Sequence, residues 1–233
     1  VSAAPAPLRS NVRYDWARAC LDLGHADAKM ARLIAAAGPF TLRLKSSHSP
    51  FEALLESIIY QQLHGKAAAT ILGRLLKIFG DLHPAPEHLL AAPEDQLRTA
   101  GVSRGKILAL RDLAAKTLDG TVPTLAKIRR MGDDEIVAHL TQVRGIGPWT
   151  VEMLLIFRLG RPDVLPVSDY GVRKGFALTY RRIPKNKPFS NDLLPKPEEM
   201  LRRAEKWRPW RSVASWYLWR ACDLAGKPSP PPE

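Results

Sequence analysis

The sequence predicts an all-α protein, and three observations carry that expectation. Apolar residues recur at helical spacing along most of the chain. No stretch sustains period-two alternation with β-branched residues; TLRLK at 41–45 is the one weak strand candidate. Capping residues, first-turn prolines and terminal glycines punctuate the apolar runs. With 233 residues, 45% of them hydrophobic, the chain can bury one sizeable core or two small subdomains packed together.

The elements follow in order. Residues 1–10 are rich in Ala, Pro and Ser and read as a flexible arm, and 227–233 (KPSPPPE) as a disordered tail. A helix begins after Ser49: Ser49 caps, Pro50 takes the first position and Glu52 completes a capping box. Phe51, Leu54, Leu55, Ile58 and Ile59 form its apolar face. The chain turns at 61–65. A second helix runs from Lys66 to Phe79, with Ala67, Ile71, Leu72, Leu75 and Leu76 on one face, and Gly80 ends it. Further helices are expected near 86–91, 93–99, 103–118, 123–130, 133–142 and 148–159, after Asp169, and over 210–225. The 148–159 segment is apolar nearly all round and reads as a central buried helix. The total is about ten helices.

Charge and cysteine content narrow the function. There are 35 Lys+Arg against 23 Asp+Glu, a net charge of +12. Such a balance suits a polyanion, nucleic acid being the commonest; a solubility surface or an anionic-lipid binder would carry it too. No run approaches the ~18 apolar residues of a membrane helix. VSAAPAPLRS lacks the apolar stretch of a signal peptide. An intracellular, cytoplasmic protein is expected, and the missing initial Met leaves room for residues upstream. Cys20 and Cys222 are the only cysteines, too few for a structural zinc or iron–sulfur site, and read as buried free thiols.

The most informative stretch is LTQVRGIGPWT at 140–150. Gly145 and Gly147 bracket a tight turn, and Pro148 opens the next helix, where its missing N–H costs little. Free amides and the positive end of the helix dipole suit a phosphate, and Arg144 adds charge. Gly145 to Thr150 therefore form a chemically sound phosphate clamp, or else a plain helix corner. Downstream, VLPVSDYGVRKGF at 164–176 places Asp169 at the start of a helix. That is where Asp commonly caps, and a capping carboxylate is also rigidly held.

The hairpin VRGIGPWT followed by LPVSDY resembles the helix-hairpin-helix DNA glycosylases, and within them the 3-methyladenine DNA glycosylase II group. IIYQQLHGKAA at 58–68 and PWRSVASWYLW at 209–219 are similar to two more of that group's segments, so the resemblance covers about 27–225. It implies two packed helical subdomains, an active site in the cleft between them, and one glycosylase domain over 11–226 with its hairpin at about 133–159. Some relatives carry an extra N-terminal β domain, which these 233 residues are expected to be too short to include.

The resemblance also implies roles. Asp169 becomes the catalytic carboxylate, stabilising an oxocarbenium-like sugar and orienting water, as in glycoside hydrolysis. Lyase-type relatives carry a nucleophilic lysine where this chain has Trp149, so a monofunctional glycosylase is implied. Trp149, Tyr170 and Trp219 would line the pocket for a cationic alkylated base, with Met153 beside them; Trp219 and Met153 also suit plain core packing. The base must leave the duplex. Leu63 would fill the gap, Gln62 and His64 would contact DNA, and Lys66 would meet a phosphate, although His64 also reads as a solvated loop residue. The carbonyls of Thr141, Val143 and Ile146 would hold a monovalent cation, no other cofactor being required. The expected partner is damaged double-stranded DNA, bound by a monomer that is nucleoid-associated if bacterial. A DNA-binding module without catalysis, or a glycosylase for uracil, oxidised or mismatched bases, is the alternative.

Overall fold

The computed structural model describes residues 10–46, 48–182 and 189–226. The expected tail and residues 1–9 of the expected arm lie outside them. Thirteen α-helices occur among the described residues: α1 Trp16–Ala26, α2 Ala28–Ala37, α3 Pro50–Tyr60, α4 Gly65–Ile78, α5 Pro86–Ala91, α6 Glu94–Thr99, α7 Arg104–Leu118, α8 Leu125–Ile128, α9 Asp133–Leu140, α10 Pro148–Leu154, α11 Tyr170–Tyr180, α12 Pro197–Ala204 and α13 Arg211–Leu224. A π-helical turn, Leu155–Leu159, continues α10. No strand is present among the described residues, and no described helix is long and apolar enough to cross a membrane.

The helices divide into two compact units, one of residues 46–154 and one of 10–45 with 155–226. In the first, α3 packs on α7 and α4, and α5 and α6 also lie against α7. Its core includes Leu54, Leu55, Ile58 and Ile59 from α3 with Ile107, Leu110 and Leu113 from α7. Ser49 Oγ accepts the Glu52 amide at 3.1 Å as expected. Glu52 reaches back one residue further than a standard box, to the His48 amide at 3.1 Å. In the second unit α11 and α13 form the most extensive helix pair, with α2 against both and α1 against α2 and α13. Phe40, Trp216 and Tyr217 meet in its core, with Phe40 and Trp216 at 4.9 Å between ring centroids.

Several expectations change. Helices α1, α2 and α12 fall in stretches where no span was assigned. In α1 and α2 a single residue, Asp27, ends one helix and caps the next, so no loop separates their patterns. In α12 only Met200 and Ala204 are buried, too little for an apolar stripe. TLRLK is not a strand, because its backbone partners are not strands. Ser10 Oγ donates to the Leu42 carbonyl at 2.7 Å, the Leu44 amide to Asn11 Oδ1 at 2.7 Å, and the Lys45 amide to the Phe157 carbonyl at 2.8 Å. Ser10 is thereby tied to the fold rather than part of an arm. On α4 the buried positions are Ala68 and Leu75, whereas Ala67 faces solvent. The 148–159 segment is not buried all round: Trp149 is 43% exposed, and the winding widens at Leu155. Cys222 is buried and bonds the Gly171 carbonyl at 3.3 Å, but Cys20 is only half-buried, 3.4 Å from the Tyr217 hydroxyl.

Asp27 is the main buried charge of its unit. Its Oδ1 accepts the Lys29 and Met30 amides. Its Oδ2 meets the Tyr180 hydroxyl at 3.1 Å, Arg203 at 3.2 Å, Lys206 at 3.1 Å and the Trp207 indole N–H at 3.3 Å. Burial opposes the charge, but the bonds from Lys206 and Trp207 and the Arg203 charge outweigh it and hold the carboxyl at about 2. A carboxyl depressed in the fold stabilises it above the unfolded value and loses that contribution as pH falls through the folded one. The unit is therefore expected to lose about 2 kcal/mol between pH 4 and pH 2, a loss that Asp27→Asn removes; urea melts of both proteins across that range check it.

Candidate active site

Asp169 occupies the turn before α11. Its amide donates to the Pro166 carbonyl at 3.0 Å and its own carbonyl accepts from Arg173 at 2.9 Å, so its backbone is held on both sides. It caps α11: Oδ1 accepts the Val172 amide at 2.7 Å. The same oxygen accepts the Trp219 indole N–H at 2.8 Å. Two donors converging on one carboxylate oxygen fix the side-chain rotamer. Trp219 is only 5% exposed, with its ring 5.4 Å from Phe157 in the π turn. Expected as a pocket wall, it is first of all the residue that orients Asp169. Tyr170, next in sequence, is 54% exposed and presents its ring to solvent.

The contact between α11 and α13 makes this bond geometrically available. A Cβ at Gly175 would lie 1.8 Å from the Leu218 carbonyl oxygen, and one at Gly171 2.7 Å from Trp219 Cδ1. These two glycines, one turn apart, let α13 approach until Trp219 reaches Asp169. The first turn of α13 also secures the loop leading to Asp169. Arg211 grips Asp163 with two bonds of 2.7 and 2.9 Å. Ser212 Oγ accepts the Val164 amide at 3.0 Å and donates to the Arg161 carbonyl at 2.6 Å. One helix thus fixes both the start of the loop and the carboxylate at its end.

The other unit carries the hairpin. Helix α9 ends at Leu140, and a turn containing Gly145 at φ +78° leads into Pro148, the first residue of α10. Arg144 and Gly145 are exposed and Gly147 half-buried, while the side chains of Val143 and Ile146 point into the core. Thr150 departs from expectation. It is 7% exposed, and its amide is spent on the Gly147 carbonyl at 3.0 Å, so it shapes the turn from inside. Trp149 is exposed on α10 and Met153 half-buried one turn on.

The expected wedge turn lies between α3 and α4. Gln62 holds a left-handed φ of +58°, unusual for a residue with a side chain and a mark of local strain. Leu63 is 38% exposed, and Gln62, His64 and Lys66 are exposed beside it. His64 occupies the cap position of α4 without a side-chain cap bond.

A strained turn with a protruding Leu, a glycine hairpin feeding a proline-started helix, and a capped Asp are therefore all present. The model of the HhH-GPD superfamily of base excision DNA repair proteins matches residues 55–209. The chain belongs to that superfamily. DNA-3-methyladenine glycosylase 1 of Schizosaccharomyces pombe is 35% identical over 91% of this chain and 90% of its own length. A structure of that yeast's Mag1 3-methyladenine DNA glycosylase with abasic DNA superimposes with a TM-score of 0.72 at 34% identity, covering 89% of this chain and 98% of that one. A DNA-3-methyladenine glycosidase from Bacillus halodurans gives a TM-score of 0.78 at 30% identity, over 90% and 91%.

The expected site residues divide by unit. Asp169, Tyr170 and Trp219 stand together in one; Trp149, Met153, the hairpin and the wedge turn belong to the other. Gly171, Gly175 and Phe157 went unnoticed in the sequence. The two glycines did leave a signal, a four-residue spacing in the helix that follows the Asp. Gly171→Ala should push the Trp219 ring off Asp169 and destabilise the unit by about 1–3 kcal/mol. A shift of the Trp219 indole N–H resonance together with a lowered unfolding midpoint would bear this out; an unmoved resonance would contradict it.

Proposed function

We propose that the protein is a monofunctional DNA glycosylase that releases alkylated, 3-methyladenine-type bases from double-stranded DNA and leaves an abasic site. The observation that carries this reading is Asp169, held at the head of α11 by the Val172 amide and the Trp219 indole. A carboxylate fixed in this way can face a sugar without spending energy on reorganisation. As the bond to the base lengthens, the sugar gains positive charge, and the Asp169 carboxylate stabilises it and orients the attacking water. Alkylation at a ring nitrogen has already made the base cationic and a good leaving group, so little acid catalysis is required. The exposed ring of Tyr170, in the same unit as Asp169, suits stacking on such a base, and Trp149 exposes a ring of the same kind, at about 0.5–2 kcal/mol per cation–π contact.

Access requires extrusion of the base, which costs a few kcal/mol. Leu63, exposed on its strained turn, would fill the vacated stack, and Gln62, His64 and Lys66, exposed beside it, would touch the DNA. Arg144 and the backbone at Gly145 and Gly147 take a phosphate. The carbonyls of Thr141, Val143 and Ile146 supply oxygen donors suited to a hard monovalent cation. That of Val143 already accepts the Ile146 amide at 3.0 Å and keeps a second lone pair. Such an ion, when bound, would add positive charge at the phosphate. With Trp149 where lyase-type relatives have a lysine, the hairpin offers no amine to attack the sugar. On this reading the enzyme works on damaged double-stranded DNA as a monomer, in the cytoplasm, at the nucleoid if the cell is bacterial.

Asp169→Asn should lower single-turnover release of alkylated bases roughly a thousandfold while leaving affinity for undamaged duplex within a factor of two. Trp219→Phe, which keeps a ring but removes the N–H, should cost roughly tenfold in the same step. Base release measured on methylated duplex checks both, and an active Asp169→Asn variant would refute the assignment. A separate check is borohydride treatment during turnover, which should trap no covalent protein–DNA adduct.

A further inference from the structure

We infer that Gln61 is a positioning residue that sets the wedge turn against the phosphate-binding hairpin, so that base extrusion depends on its side-chain amide. The inference rests on the DNA-binding reading of these two loops. Gln61 is the last residue before the strained Gln62, at the C-terminal cap of α3. Its Nε2 donates to the Gly145 carbonyl at 2.9 Å. A carbonyl can only accept, so the orientation of the Gln61 amide is fixed by its partner. The bond joins residues 84 positions apart, and its two ends are the roots of the wedge turn and of the hairpin.

Other contacts show that this junction is braced on both sides. The next residue back in the hairpin, Arg144, donates its amide to Asp112 Oδ2 at 2.7 Å. Asp112 is itself clamped by Lys116 at 2.7 Å. Burial opposes the Asp112 charge, but Lys116 and the Arg144 amide overcome it. From α7, Lys106 Nζ donates to the Ile59 carbonyl and closes the end of α3. A Cβ at Gly145 would come within 3.6 Å of Ala109 and 4.0 Å of Gln61 Oε1, so the hairpin backbone lies close over α7 and this amide. Two successive hairpin residues are thus pinned by side chains, Arg144 from α7 and Gly145 from the end of α3. Of these contacts, the Gln61 bond reaches both loops directly. A hairpin seated on a phosphate then defines where Leu63 enters the duplex.

The test uses Gln61→Met, which keeps length and volume but removes the donor, and Gln61→Glu, which sets a carboxylate against the carbonyl. The probe is a duplex with 2-aminopurine next to a tetrahydrofuran abasic site, whose fluorescence rises when the wedge unstacks it. At saturating protein the wild type should raise the signal, and both variants should give at most a third of that rise while binding the duplex. A full rise with either folded variant would overturn the inference. Because this readout needs no catalysis, it stays distinct from base release. A wild type that unstacks the probe but frees no alkylated base would defeat the proposed activity and leave the Gln61 role standing. Base release supplies a second discriminator: loss of about tenfold with 7-methylguanine opposite cytosine but under threefold opposite thymine, where extrusion is easier. Equal losses on both duplexes would mark general disruption and count against a positioning role.

Discussion

The close approach of α11 to α13 is the constraint on which the unit that carries Asp169 depends. The Leu218 carbonyl lies where a side chain at Gly175 would be, and the Trp219 ring where one at Gly171 would be. Glycine weakens a helix by roughly 0.5–1 kcal/mol relative to alanine, so two in one helix carry a cost in propensity. The return is a helix pair tight enough for an indole N–H to reach a carboxylate at the head of the neighbouring helix. Capping and packing are therefore one arrangement, on which the catalysis proposed for Asp169 rests: the Asp that starts α11 is the Asp that α13 orients.

The same helix holds the approach to that Asp. Arg211 and Ser212, at its start, fasten the loop through Asp163, Arg161 and Val164. Asp27 serves the unit differently. It sits at the α1–α2 junction and draws in Tyr180, Arg203, Lys206 and Trp207, tying α11 and α12 to the N-terminal helices. Arg203 and Lys206 are partly exposed and can turn toward water, which limits what that hub contributes, yet the buried carboxylate cannot lose all its partners without cost.

In the other unit the loops proposed to meet DNA are governed by backbone, and their side-chain supports come from elsewhere. The hairpin has Gly145 at positive φ and a proline-started helix; the wedge turn has Gln62 in a left-handed conformation. Of the two, only the Gln62 backbone is strained, since glycine adopts a positive φ freely. Asp112, Lys106 and Gln61 supply the missing hydrogen-bond partners. Asp112 and Lys106 lie outside every motif read in the sequence, and the segment that holds Gln61 does not reveal its partner, since each of the three acts on a backbone atom distant along the chain.

That difference explains what was legible beforehand. The all-helical class, the capped start of α3, the hairpin and Asp169 at the head of a helix are local patterns of spacing and capping, and one chain displays them in full. The resemblance carried by the hairpin and Asp169 named the family that the comparisons then showed. Where the pattern was weak, the reading failed for local reasons: one Asp joins α1 to α2, a polar α12 buries two residues, and TLRLK has no strand to pair with. The tertiary structure alone decided how the site is held. That Trp219 binds Asp169, that Thr150 faces inward and that Gln61 meets Gly145 depend on chain segments brought together by packing. A sequence states which donors and acceptors exist; only the fold brings the distant ones within 3 Å of each other.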